Sequence, residues 1–143
     1  MKRRTELTLR TWILVVAYLA LIFGVSSIPQ NPLSHTCFKV SDKLAHMAEY
    51  AGFGLLLTVA ARSTLRRVPR WLLMVGVVLT GAAVGALDEL YQTTVPGRER
   101  ELLDWVADVA GVLVGACAAM ALNSWMTAHR GRRGRPETAS RGE

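Results

Sequence analysis

The sequence has few cysteines and few histidines, and this argues against several classes of protein. It contains two cysteines, Cys37 and Cys117, and three histidines in 143 residues. The cysteines are predicted to lie too far apart to pair, and they lack the close spacing of a metal site. No His-Glu-x-x-His pattern, phosphate-binding loop or serine or cysteine nucleophile signature occurs. These absences argue against a multi-histidine zinc site and against the common nucleophilic hydrolases.

Long apolar runs are what the chain does contain. Hydrophobic residues make up 51% of the sequence and the mean hydropathy is +0.26. A helix of about 20 apolar residues crosses a hydrocarbon layer of about 30 Å, and its backbone groups are all bonded within the segment. The alternating segments of an outer-membrane barrel are missing. We therefore predict an all-α integral membrane protein of one domain, with spans at residues 11–28, 44–61, 71–91 and 105–126.

The charges of the chain are sorted by segment. Most of the 17 basic residues lie in residues 1–10, in the loop after the second span and in residues 127–143, whereas most of the 11 acids lie at the opposite span ends. The positive-inside rule places the basic segments in the cytoplasm. We expect four helices in an antiparallel bundle with both termini cytoplasmic. Residues 1–10 and 127–143 are predicted as basic tails, the second of them disordered, that contact anionic lipid rather than nucleic acid.

The first span could instead be a signal peptide. A basic start precedes its apolar stretch, and the small residues Gly24-Val25-Ser26-Ser27 follow. It lacks an Ala-x-Ala cleavage site, however, and the apolar stretch is long for a signal peptide. Cleavage would also leave three spans and put the termini on opposite sides. A retained first span is the preferred interpretation.

Polar side chains gather at the outer ends of the second, third and fourth spans. Asp42, His46 and Glu49 fall on one helical stripe, and similar stripes occur where the third span ends and the fourth begins. Ionisable groups in membrane helices are costly, so they mark a functional site by default. The predicted ligand-binding residues are Asp42, Lys43, His46, Glu49, Tyr50, Asp88, Glu89, Gln92, Arg98, Asp104 and Asp108.

Two glycine pairs predict how these stripes could meet. Gly81-x-x-x-Gly85 and Gly111-x-x-x-Gly115 are small-residue patterns that permit close helix approach in lipid. If these two faces pack on each other, the carboxylates above them converge. Arg98 follows the turn signal Pro96-Gly97 and is expected to be the counter-ion of the acids.

Simpler roles remain open for some of these residues. Asp42 and Asp104 could be acids of a first helical turn, favoured by the helix dipole. The aromatic residues near span ends are typical of anchors at the membrane interface; they are Tyr50, Trp71, Tyr91 and Trp105.

The predicted set is compatible with more than one chemistry. Glu49, Asp108 and His46 are candidates for acid–base catalysis, although none is assigned as catalytic. A divalent cation could bind there too, its candidate ligands being Asp42, His46, Glu49, Glu89, Asp104 and Asp108. The set could also bind a ligand without chemistry, or only lock helix packing. A transporter is disfavoured because no acid lies near the midplane and no inverted repeat or broken helix occurs.

At these positions the chain resembles the VanZ-like family of small bacterial membrane proteins. The matching blocks are Ser41-Asp42-Lys43-Leu44-Ala45-His46-Met47-Ala48-Glu49-Tyr50, Asp88-Glu89-Leu90-Tyr91-Gln92, Val95-Pro96-Gly97-Arg98 and Asp104-Trp105-Val106-Ala107-Asp108 continuing through Gly111 to Gly115. They span residues 41–115, about half of the chain. Many relatives have His where this chain has Tyr91, which weakens any metal site that needs a second histidine.

The resemblance implies a multi-pass protein of the bacterial cytoplasmic membrane with a role in the cell envelope. The family's namesake is associated with resistance to the glycopeptide teicoplanin, and the family supplies no reaction or cofactor to carry over. We therefore expect a protein that binds or modifies a surface or lipid-linked envelope molecule, with a cell-wall precursor or glycopeptide as partner. The alternatives are a membrane hydrolase or transferase acting on lipid-linked headgroups, and a structural adaptor without chemistry.

Overall fold

The computed structural model describes residues 2–29, 39–98 and 100–133 of the chain, and in that part it consists of four α-helices without strands. The helices are α1 (Lys2–Ser26), α2 (Lys39–Thr64), α3 (Arg70–Gln92) and α4 (Leu102–Arg133). Each helix contains an apolar window long enough to cross a membrane, with mean hydropathy between 1.3 and 1.9. The prediction of an all-α protein with four candidate membrane spans is confirmed.

The helices extend beyond the predicted spans. The first begins at Lys2, so most of the segment predicted as a basic tail is helical. The fourth continues to Arg133, past the predicted end at residue 126, so the first part of the predicted disordered tail is helical too. Hydropathy marks where a helix leaves the hydrocarbon layer, and not where its backbone hydrogen bonding ends. The rest of that tail and Cys37 lie outside the described residues.

The closest helix approach is between α2 and α4, and glycines make it possible. A Cβ added to Gly111 or Gly115 would meet the backbone of Met47 or Ala51 on α2, and one added to Gly54 would meet the backbone of Val112 on α4. Because no side chain intervenes, backbone packs directly on backbone, as expected for small residues in membrane helices.

This arrangement corrects the predicted pairing of the two glycine patterns. Gly81 and Gly85 face α4, against Val112 and Asp108, but Gly111 and Gly115 turn to α2 rather than to α3. Successive residues of a helix are rotated by about 100°, so Gly111 and Val112 present α4 to two different neighbours. A small-residue pattern therefore predicts a packing face but does not identify the helix that packs there.

Apolar side chains fill the middle of the bundle and also cover its surface. Ile22, Tyr50, Phe53 and Val112 are almost completely buried. Many large apolar residues point outward, and Leu79, for example, is 65% exposed. An apolar exterior is what contact with lipid chains requires.

Side-chain contacts identify the two ends of the bundle. At one end the Trp12 indole donates a hydrogen bond to Thr64 Oγ1 at 2.9 Å, which joins the start of α1 to the end of α2. At the other, the Ser26 hydroxyl donates to Asp88 Oδ2 at 2.9 Å, which joins the ends of α1 and α3. The polar side chains that the sequence singled out lie at this second end.

Residues 93–97, directly after α3, form a turn, as the Pro96-Gly97 signal predicts. Gly97 has a φ of 79°, in the left-handed region that favours glycine. Hydrogen bonds from Val95 N to Gln92 O at 3.0 Å and from Arg98 N to Val95 O at 3.2 Å continue the turn beyond α3. The turn brings the start of α4 back beside the end of α3.

Candidate functional site

The buried polar residues of the described chain, Thr58 aside, lie at one end of the bundle. Thr58 is accounted for by a hydrogen bond to Gly54 O at 2.7 Å within its own helix. The remaining set, called the polar cluster below, consists of Ser26, His46, Asp88, Glu89, Gln92, Asp104 and Asp108. Asp108 is 0% exposed and Asp88 is 1% exposed. Such burial of acids in an apolar bundle requires partners for their charge.

One part of the polar cluster joins α1 to α3. Asp88 Oδ2 accepts hydrogen bonds from the Ser26 hydroxyl at 2.9 Å and from Gln92 Nε2 at 3.0 Å. Gln92 follows Asp88 by one helical turn, which places the two side chains on the same face. Beside them, the hydroxyls of Ser27 and Tyr91 share a hydrogen bond of 2.8 Å.

A second part joins α2 to α4 through a histidine and an aspartate. His46 Nδ1 lies 3.0 Å from Asp108 Oδ1, and both side chains are buried. Trp105, one turn before Asp108, donates its indole N–H to Ala82 O on α3 at 2.9 Å. The indole bond ties α4 to α3, so the carboxylate of Asp108 is held against α2 and α3 together.

Nearer the turn, Lys43 joins α2 to the start of α4. Its ammonium lies 2.6 Å from Asp104 Oδ1 and 3.0 Å from Glu101 Oε2. The backbone N–H of Glu101 in turn donates to Glu89 Oε2 at 3.0 Å. Lys43 therefore supplies one positive charge to the two carboxylates of Asp104 and Glu101, whereas the more deeply buried Glu89 is held by a backbone donor.

Four buried oxygens of this region have no hydrogen-bond partner among the described residues. They are Tyr50 Oη, Asp88 Oδ1, Glu89 Oε1 and Asp108 Oδ2. Buried polar atoms are nearly always paired, so an unpaired set calls for a specific explanation. Three of the four belong to carboxylates whose other oxygen is bonded. These side chains are therefore fixed in place while one acceptor on each remains available.

The ligand atoms of the polar cluster are close enough to share one ion. One atom each from His46, Glu89 and Asp108 lie within 4.8 Å of one another, and all three residues are buried. A second group of the same spacing consists of Asp42, His46 and Asp104, of which Asp42 is exposed. The same atoms could also exchange protons with a bound molecule.

Most of the predicted site residues take part in these contacts, but Arg98 and Tyr50 do so differently from their predicted roles. The Arg98 guanidinium donates to the carbonyls of Ile28 at 3.2 Å and Val25 at 3.4 Å, and among the acids its charge acts on Glu49 without an ion-pair contact. Tyr50 is completely buried against Phe53 rather than anchored at the membrane interface. Glu49 is half-buried, and its backbone carbonyl accepts the Tyr18 hydroxyl at 3.0 Å.

Two contributors were missed by sequence reasoning. From sequence alone, Ser26 belongs only to a small-residue group near the end of the first span, and Glu101 is not singled out. Ser26 is buried against Asp88, and Glu101 contacts both Lys43 and Glu89. One signal could have indicated Ser26. It is a serine near the end of one apolar span, and Asp88 lies near the end of another.

Fold and site together define a multi-pass membrane-type helical protein with a buried acidic cluster at one end of its bundle. A family model described as VanZ/LLP1 matches residues 3–123, which is most of the chain. The chain belongs to this family. Comparison with curated proteins and with solved structures gave no match.

Proposed function

We propose that the four helices form an antiparallel bundle in the bacterial cytoplasmic membrane, with both termini in the cytoplasm. The distribution of basic residues supports this orientation, because the loop between α2 and α3 and both terminal segments are basic. The polar cluster, at the opposite end from that loop, then faces the outside of the cell.

On this basis the protein binds or modifies a surface or lipid-linked molecule of the cell envelope at the polar cluster. The observation that carries the proposal is the set of unpartnered carboxylate oxygens on Asp88, Glu89 and Asp108. Bonding every acceptor internally would stabilise the bundle more, since an unpaired buried acceptor costs about 1–3 kcal/mol. Free acceptors held at a fixed position are what a binding site requires.

Family membership supports an envelope molecule as the ligand. The glycopeptide resistance of the family's namesake makes a cell-wall precursor or the glycopeptide itself a reasonable ligand, and a change in teicoplanin susceptibility a reasonable phenotype. The acceptor-rich cluster suits a ligand that brings N–H groups, hydroxyls or a cation.

Native mass spectrometry of the full chain in mild detergent tests the proposal. Wild type is expected to carry a co-purified envelope lipid or precursor that is lost in Asp108→Asn. Thr58→Val is the matched control, because Thr58 is equally buried but far from the polar cluster. Equal retention by the wild type and Asp108→Asn, or bare protein in all samples, would contradict the proposal.

The same strains give a cellular readout. Wild type expressed in a susceptible host is expected to shift the inhibitory concentration of teicoplanin, and Asp108→Asn at equal membrane abundance is not. A purely structural role predicts something different: Asp108→Asn would lower protein abundance and the phenotype together.

Enzymatic action on lipid-linked headgroups is the second candidate function. The His46–Asp108 pair at 3.0 Å favours it, because a carboxylate that orients a histidine is a common acid–base arrangement. Glu49, half-buried one turn further along α2, is the other candidate base. Turnover of a lipid-linked precursor by wild type, with loss of at least about 100-fold in His46→Gln, would support this function; binding without turnover would leave only the first.

A further inference from the structure

The polar cluster contains more negative charge than its described partners neutralise. Asp88, Glu89 and Asp108 are each at most 2% exposed, and of the three only Asp108 contacts an imidazole, that of His46, which is charged only when protonated. Lys43 is engaged with Asp104 and Glu101, and Arg98 is directed to backbone carbonyls. A buried carboxylate is strongly destabilising without a positive partner. The cluster is therefore suited to receive a cation.

The geometry selects which atoms would receive it. One ligand atom each from His46, Glu89 and Asp108 lie within 4.8 Å of one another. His46 Nδ1 and Asp108 Oδ1 are 3.0 Å apart. Two ligands that each lie about 2.1 Å from one ion are about 3 Å apart in octahedral geometry and about 3.4 Å apart in tetrahedral geometry. A small shift of the Glu89 side chain would bring its carboxylate oxygen to a similar distance from the other two ligand atoms.

The unpartnered carboxylate oxygens point to the same three residues. Glu89 Oε1 and Asp108 Oδ2 are buried and have no partner among the described residues. Glu89 is fixed through its other oxygen by the backbone N–H of Glu101. A Cβ added to Gly85 would lie 3.1 Å from Asp108 Oδ2, so the absence of a side chain at Gly85 lets this oxygen lie close to α3.

The neighbouring group of Asp42, His46 and Asp104 fits a metal less well. Asp104 Oδ1 already contacts the Lys43 ammonium at 2.6 Å, and Asp42 is exposed. A divalent ion bound there would lie against a fixed positive charge. This repulsion is absent from the contacts described for Glu89 and Asp108.

We propose that His46, Glu89 and Asp108 form a binding site for one divalent first-row transition-metal ion, Zn²⁺ or Mn²⁺. Imidazole nitrogen suits Zn²⁺ and carboxylate oxygen suits Mn²⁺, so a mixed set favours these ions over Mg²⁺ or Ca²⁺. Three protein ligands leave at least one coordination position for an oxygen of a bound molecule. This proposal rests on the proposed function. It identifies the metal ion as the cation that the acceptor-rich cluster receives, and the bound envelope molecule then contributes an anionic oxygen at the open coordination position.

Metal titration of the full chain tests the proposal. The protein is purified in mild detergent, stripped with EDTA, and titrated with ZnCl₂ or MnCl₂ alone in a calorimeter. Wild type is expected to bind one ion per chain, and His46→Gln, Glu89→Gln and Asp108→Asn to bind at least about 100-fold more weakly. Asp42→Asn is expected to bind like wild type. Thr58→Val, which is buried in α2 and bonded within its own helix, is the matched control and is expected to bind the metal like wild type.

Cobalt substitution gives a readout that does not depend on how the variants fold. Wild type loaded with Co²⁺ is expected to show visible absorption bands of nitrogen and oxygen ligation, at one ion per chain. A wild type that binds no stoichiometric metal, or one whose Co²⁺ spectrum is that of the hydrated ion, would overturn the proposal. Equal losses in Asp42→Asn and Glu89→Gln would overturn the ligand assignment.

Failure of the metal proposal can be separated from failure of the proposed function. If the co-purified envelope molecule survives EDTA treatment and is still lost in Asp108→Asn, the cluster binds its ligand directly and the metal proposal is wrong. If metal binds but no envelope molecule is retained with or without it, the proposed function is the part that fails.

Discussion

A single contact, His46 with Asp108, shows how this chain tolerates charge in an apolar bundle. The imidazole nitrogen lies 3.0 Å from a carboxylate that is completely buried. Either partner alone would be a buried ionisable group without compensation, which is far more costly than the pair. Stability at this point depends on both residues together.

A double-mutant cycle measures that dependence. His46→Ala is expected to lower the free energy of unfolding by about 3–5 kcal/mol, because it leaves Asp108 unpaired. His46→Ala combined with Asp108→Ala is expected to be less destabilised than His46→Ala alone. Thermal unfolding in detergent, followed by circular dichroism, gives the coupling; additive effects of the two changes would show that the pair is not coupled.

Ser26, at the end of α1, offers a second test of a single residue. Ser26→Ala removes a donor from Asp88 Oδ2, leaving Gln92 as its neighbour on α3. We expect a loss of about 1–3 kcal/mol. Ser27→Ala removes two exposed contacts, with the Phe23 carbonyl and with the Tyr91 hydroxyl, and is the control, with an expected change of about 0.5 kcal/mol or less. Equal Tm values for the two variants would contradict the account of Asp88.

Among the elements, α4 packs against both α2 and α3, and it uses a different face for each of them. Gly111 and Gly115 lie against the backbone of α2, while Val112 and Asp108 lie against Gly81 and Gly85 of α3. The fourth helix is thus the one that brings the buried acids of α3 to the histidine of α2. Its packing against α2 determines whether the polar cluster can assemble.

Glycine-to-alanine changes test this packing with a matched control. Gly115→Ala places a methyl group against the Ala51 carbonyl of α2 and is expected to destabilise the bundle. Gly76→Ala has nothing within 4 Å of the added atom, so it is expected to be neutral or stabilising by up to about 1 kcal/mol. Thermal unfolding of both variants tests this expectation. Equal Tm values would show that α2 and α4 are not as close as described.

The turn between α3 and α4 gives a further prediction. Gly97 has a φ of 79°, which costs an alanine about 1 kcal/mol or more. Gly97→Ala is therefore expected to lower Tm, whereas Gly97→Asn, which tolerates this conformation better, should lower it less. The opposite order would indicate that the turn adopts another conformation in the membrane.

At the scale of the whole molecule, the polar cluster and the basic loop lie at opposite ends of the bundle. The proposed orientation predicts which sites an impermeant reagent can reach. In a background with Cys37→Ala and Cys117→Ala, a cysteine at position 94 is expected to react with an impermeant maleimide in intact cells. A cysteine at position 66 is expected to react only after the membrane is permeabilised; the reverse pattern would overturn the orientation.

The number of helices and much of the polar cluster could be predicted from the sequence, because hydropathy and helical periodicity are local properties. His46 and Asp108 were singled out by their positions on polar stripes, and the structure brings them into contact. Partner choice is not local. That Gly115 meets α2 rather than α3, and that Arg98 turns to backbone carbonyls, depends on how the helices are arranged. The end of α4 was missed because a helix can continue beyond its apolar part.

The position of Arg98 has a consequence for the order in which the molecule is completed. The carbonyls of Val25 and Ile28, at the end of α1, accept hydrogen bonds from a side chain 73 and 70 residues later in the chain. Synthesis proceeds from the N-terminus, so both carbonyls emerge before Arg98 has been made, although Val25 O also has a local donor in Ile28 N at 3.1 Å. The end of the first helix can receive the guanidinium only after α2 and α3 have been made.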